Sequence, residues 1–425
     1  MIDPLILVRG VHLIATALAA GTAGFIVLVA EPAFRRTKEV AAAEFAALRR
    51  RWSRLIVIAL AVAIVSGASW LVLLASDLYG APIVDVCLHG GAWSVASQTR
   101  FGLIWGVRLL LALLLAVLLL WPNQRLAPLL AAGGLIGSLA LIGHAGASPG
   151  PSGNVQLAAD VLHLLAAGAW VGSLPALAWL MGRARRAQSE SWNALAGEAA
   201  RGFSPLGITA AGTLAVTGLI NAWYLVGTPG ALVATDYGRL ILLKIGLFAA
   251  MLGIASVNRF RLTPRLALAS AIGALERNAF AETALGLCIL LFVGALGTLE
   301  PSAHNHVHVA SGPIDPDAAF VHIHTEQAMA DVSILPGRPG VATISIRLMR
   351  EDFSILPADA IDVVLAPREP AGAPSIRRPA IRLPDGTWKA AGLEIRQAGV
   401  WIVKLTIRIG NSAPFVLDAP IVIDR

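Results

Sequence analysis

Sulfur is scarce in this chain: 425 residues hold two cysteines and five methionines. Cys87 and Cys288 form no CxxC redox or zinc motif, and no structural disulfide is expected. So few methionines, none paired in sequence outside the apolar runs, argue against a thioether relay, and Met329 has no methionine close to it along the tail. Charge is sparse too. With 14% charged and 56% hydrophobic residues, a soluble protein of this length is excluded. The net charge of +7 comes mostly from short loops between apolar runs, where basic residues set membrane orientation, so a nucleic-acid partner is excluded as well. There is no Walker phosphate loop and no phosphorylatable DKT segment, so transport would be passive, ion-coupled or partner-driven. No catalytic constellation stands out, and an enzyme is not expected. The start, Met1-Ile2-Asp3-Pro4, lacks a basic n-region, and the apolar run to about Ala30 is too long for a signal-peptide core. It reads as a retained first helix.

What is present is a set of eight apolar segments: 5–30, 55–75, 101–121, 126–143, 157–181, 203–226, 239–257 and 279–299. Each matches a hydrocarbon core of about 30 Å as a helix, the one open form that satisfies its own backbone in lipid. Loop 31–54 carries Arg35, Arg36, Lys38, Arg49, Arg50, Arg51 and Arg54 against three acids. Arg125, then Arg183, Arg185, Arg186 and Arg201, then Arg259, Arg261, Arg265 and Arg277 mark the third, fifth and seventh loops. The even loops hold Asp77, Asp85 and Asp236 with Arg100 as their base. Positive charge inside then predicts both termini on the extracytoplasmic side. The expected domains are an eight-helix membrane bundle over 1–300, a His-rich linker over 301–320, and an extracytoplasmic all-β, immunoglobulin-like sandwich over 321–425. In the last, strands are expected at Ala342–Leu348, Ile361–Ala366, Trp401–Ile409 and Pro414–Ile423, between Pro, Gly and Asp-Gly turns.

On this topology all nine histidines fall on the outer side. His12, His144 and His163 come to one depth near the outer ends of three helices. Imidazole is costly in hydrocarbon without a partner, so recurrence at one level points to a shared metal or haem site. Asp160, one turn before His163, shares its face and is placed to hold the imidazole tautomer. Asn221, Lys244, Arg9 and Arg108 lie in the outer thirds of their helices, and interior placement or snorkelling both fit Arg9 and Arg108. In the tail, His304, His306 and His308 precede His322 and His324. Alternate residues of an extended strand share a face, so each His-x-His presents two imidazoles together. Nitrogen ligands of this kind suit Cu(II), Zn(II) or Ni(II), with Cu(II) favoured. His89 and Cys87 are weaker candidates in the first outer loop.

Several segments resemble the copper resistance protein D (CopD) family of bacterial inner-membrane proteins. They are Gly143-His144-Ala145, the run Asp160-Val161-Leu162-His163 through Gly172, Phe203-Ser204-Pro205, Thr217-Gly218-Leu219-Ile220-Asn221-Ala222, Tyr237-Gly238-Arg239-Leu240 with Leu243-Lys244, and Asn258-Arg259. A last span with Glu282 and Pro301 fits as well. The resemblance is best over about 140–300. The tail is similar to YtkA-like or FixH-like periplasmic β-domains around Asp385-Gly386-Thr387-Trp388 and Gly399-Val400-Trp401. The resemblance implies copper movement across the inner membrane, usually toward the cytoplasm, with copper as Cu(II) or Cu(I), the lipid bilayer and a periplasmic copper chaperone as partners.

The leading expectation is therefore a copper transporter: the tail or linker captures the ion, and His12, His144 and His163 accept it at the mouth of the bundle. The inner half offers Cys288, Met251 and Glu282 but no ligand chain. Two alternatives remain open. A b-type haem between His12 and His163 would make a membrane redox protein and show a Soret band. A factor handing copper to a respiratory oxidase would use the β-domain for docking.

Overall fold

Asp3 and Pro4 start the first helix together. The Asp3 carboxylate accepts from the Leu5 amide at 2.8 Å, and Pro4 fills a first-turn position whose N–H would have no partner. In the computed structural model of the chain the described residues are 3–37, 40–121, 124–142, 150–226, 229–266, 268–299, 317–325, 327–350, 354–368, 374–410 and 413–423. They fall into two compact units, Met1–His304 and Asn305–Arg425.

The first unit is helical. Helix α1 (Pro4–Phe25) runs through a π-helical turn (Ile26–Ala30) into α2 (Glu31–Thr37), followed by α3 (Ala42–Tyr79) and the short α4 (Ile83–Leu88) and α5 (Gly91–Gln98). Next come α6 (Arg100–Leu118), α7 (Leu126–Gly137) with a 3₁₀ turn (Ser138–Leu141), and α8 (Gly150–Trp170). A second 3₁₀ turn (Val171–Ser173) leads to α9 (Leu174–Ala187), then α10 (Glu190–Val226), α11 (Ala231–Ala234), α12 (Asp236–Val257) and α13 (Ala269–Leu296). Among the described residues, seven helical stretches are long and apolar enough to cross a membrane, and the span expected at 126–143 is the shorter apolar helix Leu126–Leu141. The chain is a multi-pass membrane protein.

Most of segment 31–54, expected as a loop, is helical. Residues 42–51 are alanine, glutamate, leucine and arginine apart from Phe45, mostly strong helix formers, so α3 extends to 38 residues. At roughly 57 Å it exceeds the hydrocarbon core, and its arginine-rich N-terminal part projects beyond it. There Glu31 gathers Arg35, Arg49 and Arg125 at 3.8, 3.5 and 3.5 Å.

Helix α1 is the axis of the bundle, packing on α3, α7, α8 and α13. Its spanning window is 67% buried, against 6% for that of α12, which lies on the rim. Small residues make this possible. A Cβ on Gly21 would strike the backbone of Gly168 and Gly172, and one on Gly172 would strike the Ala17 carbonyl. Ser173 Oγ seals the crossing by donating to the Gly21 carbonyl at 2.9 Å. Pro175 supplies no amide N–H, which accounts for the break between α8 and α9.

The second unit is a β-sandwich of eight antiparallel strands: β1 (Ala319–His324), β2 (Met329–Leu335), β3 (Gly340–Met349), β4 (Ala360–Pro367), β5 (Ile376–Arg382), β6 (Trp388–Ile395), β7 (Gly399–Arg408) and β8 (Phe415–Ile423). Their order is β1-β2-β3-β6-β5-β4-β7-β8. Strand β5 changes sheets: Ile376–Ala380 pairs with β4, whereas Ile381 and Arg382 pair with β6. Ile323, Val332, Ile344, Val363, Trp388 and Leu405 belong to one core. Strands β2, β5 and β6 were not expected from sequence, and β1 only as a first-strand region running out of the linker. β5 reads Ile-Arg-Arg-Pro-Ala-Ile-Arg, whose charges and proline hide a strand that turns a corner. β1 opens at Ala319, inside the segment expected as linker.

Candidate metal-handling site

His12 and His163 each sit in a polar cluster of the bundle. At the first, His12 of α1 is 4% exposed, with Nδ1 2.9 Å from the Ala63 carbonyl and 3.2 Å from the Ser66 hydroxyl, both on α3. A carbonyl only accepts, so Nδ1 carries the proton and Nε2 the lone pair. That lone pair accepts from Arg108 Nη2 of α6 at 2.8 Å. Arg108 is 3% exposed and also donates to Thr16 Oγ1 at 3.2 Å, the Leu135 carbonyl at 2.6 Å and Ser138 Oγ at 2.9 Å. Leu135 and Ser138 flank the point where α7 tightens into its 3₁₀ turn. A cavity of about 20 Å³ beside His12, Trp105 and Arg108 has room for one water. Arg9 turns to the Gly297 carbonyl at 2.6 Å and lies over the Trp70 ring at 4.8 Å.

The second place joins α8, α10 and α12. Thr217 donates its hydroxyl to the Thr213 carbonyl at 2.6 Å, so it accepts from His163 Nδ1 at 2.9 Å. The lone pair of His163 is therefore on Nε2. Lys244 Nζ stands 3.4 Å from that nitrogen and is attracted electrostatically to Asp160. Asp160 Oδ1 accepts from Asn221 Nδ2 at 2.6 Å, while Asn221 Oδ1 is buried without a hydrogen bond. Asp160, His163, Asn221 and Lys244, each singled out from sequence, thus meet in one cluster.

His12 and His163 share no hydrogen-bond partner, and each presents a neutral imidazole whose Nε2 faces a cationic side chain. Among the described residues, no three His, Cys, Asp or Glu side chains assemble into a group able to hold a metal ion. Glu282 accepts from Trp170 Nε1 at 3.2 Å and Asn258 Nδ2 at 2.6 Å, and Asn278 in turn donates to Asn258 at 2.6 Å, a clasp among α8, α13 and the segment after α12. Cys87 and Cys288 are both exposed.

His144, His304, His306 and His308 lie outside the described residues. On β1, His322 Nδ1 is 2.6 Å from Asp331 Oδ1 of β2, and His324 occupies the position paired with Met329. His89 Nδ1 donates to the Asp85 carbonyl at 2.9 Å on an exposed turn. Sequence reasoning missed Thr16, Ser66, Ser138 and Thr217 as partners of the buried basic groups. Thr213, Thr217 and Asn221, four residues apart along α10, form a polar stripe that could have revealed the last of these.

Two family models match the chain: the copper resistance protein D-like N-terminal domain over residues 1–155, and copper resistance protein D over residues 197–296. His12 and Arg108 fall in the first, and Thr217, Asn221 and Lys244 in the second, with Asp160 and His163 between. The chain is 28% identical over 291 residues to the copper transport protein CutJ of Bacillus subtilis (strain 168), covering 63% of this chain and 50% of that protein. It is 33% identical over 214 residues to the inner membrane protein YebZ of Escherichia coli (strain K12), covering 49% and 72%. To copper resistance protein D of Pseudomonas syringae pv. tomato it is 30% identical over 220 residues, covering 49% and 71%. The chain thus spans about half the length of the Bacillus relative. No solved structure matches it.

Proposed function

Because the chain belongs to the copper resistance protein D family, we propose that it carries copper across the bacterial inner membrane, from the periplasmic side through the helix bundle toward the cytoplasm. Two of the relatives bear names that speak of copper transport or copper resistance. The arginine-rich loops support termini on the periplasmic side. In this reading His322 and His324, with His304, His306 and His308 of the linker, capture the ion, and a periplasmic copper chaperone delivers it. His144 and His163 accept it at the mouth of the bundle.

The observation that carries the reading is the arrangement around His163. A metal needs a neutral imidazole with a lone pair, and Nε2 meets that requirement. The group across from it is an ammonium at the long distance of 3.4 Å, with Asp160 as an alternative partner. Displacing Lys244 toward Asp160 would open the nitrogen and leave no charge unpaired. His12 differs. Its Nε2 is held at 2.8 Å by an arginine with three further hydrogen bonds, and moving that guanidinium would strand a buried charge. His12 is thus assigned to holding the bundle together, and His163 to copper.

Copper titration of the purified full chain tests this. His163→Ala should remove one copper equivalent and His12→Ala should leave the stoichiometry unchanged. The converse pattern would move the site to His12, and a wild type that binds no copper would end the reading.

A further inference from the structure

Met329 does not stand alone in the folded chain. Strand β2 places Ala330, Val332 and Ile334 in the sandwich core, so the pleat turns Met329 and Asp331 to the opposite face. On that face the register sets His324 opposite Met329 and Met329 opposite Met349, one row across β1, β2 and β3. The next row is His322, Asp331 and Arg347. The facing methionines stand about 5 Å apart at Cβ and His322 is a diagonal neighbour of Met329 at about 7–8 Å, within reach of long side chains on one small ion. Met329 and Met349 are 1% and 2% exposed and form a pair separate from the core. Beside them Asp331 has a side chain 6% exposed, Oδ1 on His322 Nδ1, and Oδ2 buried with no hydrogen bond.

A buried methionine pair can be plain packing beneath a loop. Plain packing gives no reason to put a buried, half-satisfied carboxylate with an imidazole on it in the adjoining positions of the same face. A carboxylate on Nδ1 fixes a histidine with Nε2 as the ligating nitrogen, the arrangement that commonly supports a metal. Two thioethers with imidazole make a soft donor set, suited to Cu(I) more than to Cu(II). We propose that the β-sandwich holds a Cu(I) site in which Met329 and Met349 supply sulfur and His322 supplies nitrogen. The site rests on the copper reading above and specifies the oxidation state its outer unit takes.

The test uses full-length protein in detergent in a Cys87→Ser/Cys288→Ser background, loaded with Cu(I) under anaerobic reductant. X-ray absorption should show sulfur as well as nitrogen bound to copper. Met329→Leu/Met349→Leu, which conserves core volume, should weaken Cu(I) at least about tenfold and abolish the sulfur signal, while His163→Ala keeps both. Nitrogen-only coordination before any methionine is changed, or sulfur coordination that survives the double substitution, would overturn the thioether site and leave copper handling intact. Absence of any bound copper would overturn the parent reading and this site with it.

Discussion

Replacing Lys244 with leucine removes the cation that stands on the lone pair of His163 and adds no copper ligand in its place. The ammonium lies 3.4 Å from Nε2, so a copper ion bound there would meet it at close range. Two unit charges about 4 Å apart repel by roughly 4 kcal/mol at an effective dielectric near 20. Part of that repulsion is relieved when the ammonium moves toward Asp160, so the full value is an upper bound. At about 1.4 kcal/mol per decade, Lys244→Leu should tighten copper binding by between roughly tenfold and a thousandfold. Asp160→Asn should act in the opposite sense, because the displaced ammonium then has no carboxylate to meet. Both are read by competition with a chromophoric copper chelator in detergent. Tighter binding in Lys244→Leu should also slow release, so cells carrying it should take up less copper despite the higher affinity. A Lys244→Leu protein that binds copper no more tightly than the wild type would refute the reasoning, since nothing would then have been competing for the nitrogen.

Three further outcomes follow from the fold. His12→Leu should lower thermal stability by about 2–5 kcal/mol, combining a lost charge-assisted hydrogen bond with an unsatisfied Arg108, yet leave copper affinity at His163 unchanged in the same chelator assay. Gly21→Ala forces a methyl group into the backbone of Gly168 and Gly172 and should cost about 3 kcal/mol, seen as an early melting transition or loss of the folded fraction on gel filtration. In the β-sandwich, hydrogen bonds from the Thr387 hydroxyl and amide hold the Asp385 carboxyl below its usual range. A depressed carboxylate stabilises the fold above its unfolded pKa and loses that contribution as pH falls through the lower, folded value. The melting temperature of the β unit should therefore drop below about pH 4 in the wild type, and more shallowly in Asp385→Ala, as followed by its tryptophan fluorescence.

Hydropathy and charge made the spans readable, because both are set by composition over a window. The places where the expectation departed from the structure are local. The basic stretch before 55 contains good helix formers, and a polar helix leaving a membrane looks like a loop to a hydropathy count. The broken span at Val171–Ser173 is traceable to Pro175, but only once Gly21 and Gly172 are known to touch. At the site, the shared face of Asp160 and His163 was legible from their spacing on one helix, but Thr217 rather than the Asp160 carboxylate takes the imidazole Nδ1, and Asp160 pairs with Asn221. The pairing of His12 with Arg108 was not, since the residues are 96 apart and nothing in either helix names the other. Met349 escaped notice for a like reason: twenty positions from Met329, it becomes a neighbour only through the register of β2 with β3.

The two bundle histidines use the same arrangement, Nδ1 donating to an oxygen and Nε2 facing a cation, and yet the arrangement does not by itself decide what each does. The deciding quantity is how many other partners the cation has. Arg108 is fastened to α1 and α7 by three hydrogen bonds beyond the one to His12, so its position is over-determined and the imidazole becomes one more acceptor in a structural knot. Lys244 is a single ammonium on a flexible stem, 3.4 Å from one imidazole and within electrostatic reach of one carboxylate, so exchanging the first for the second would leave no charge unpaired. A cation that moves between two partners can be replaced at one of them by another cation, which is the elementary step a copper pathway requires. Arginine in the place of Lys244 would lock that step: its planar fork would bridge Asp160 and His163 together, so Lys244→Arg should preserve stability and charge while abolishing copper binding at His163.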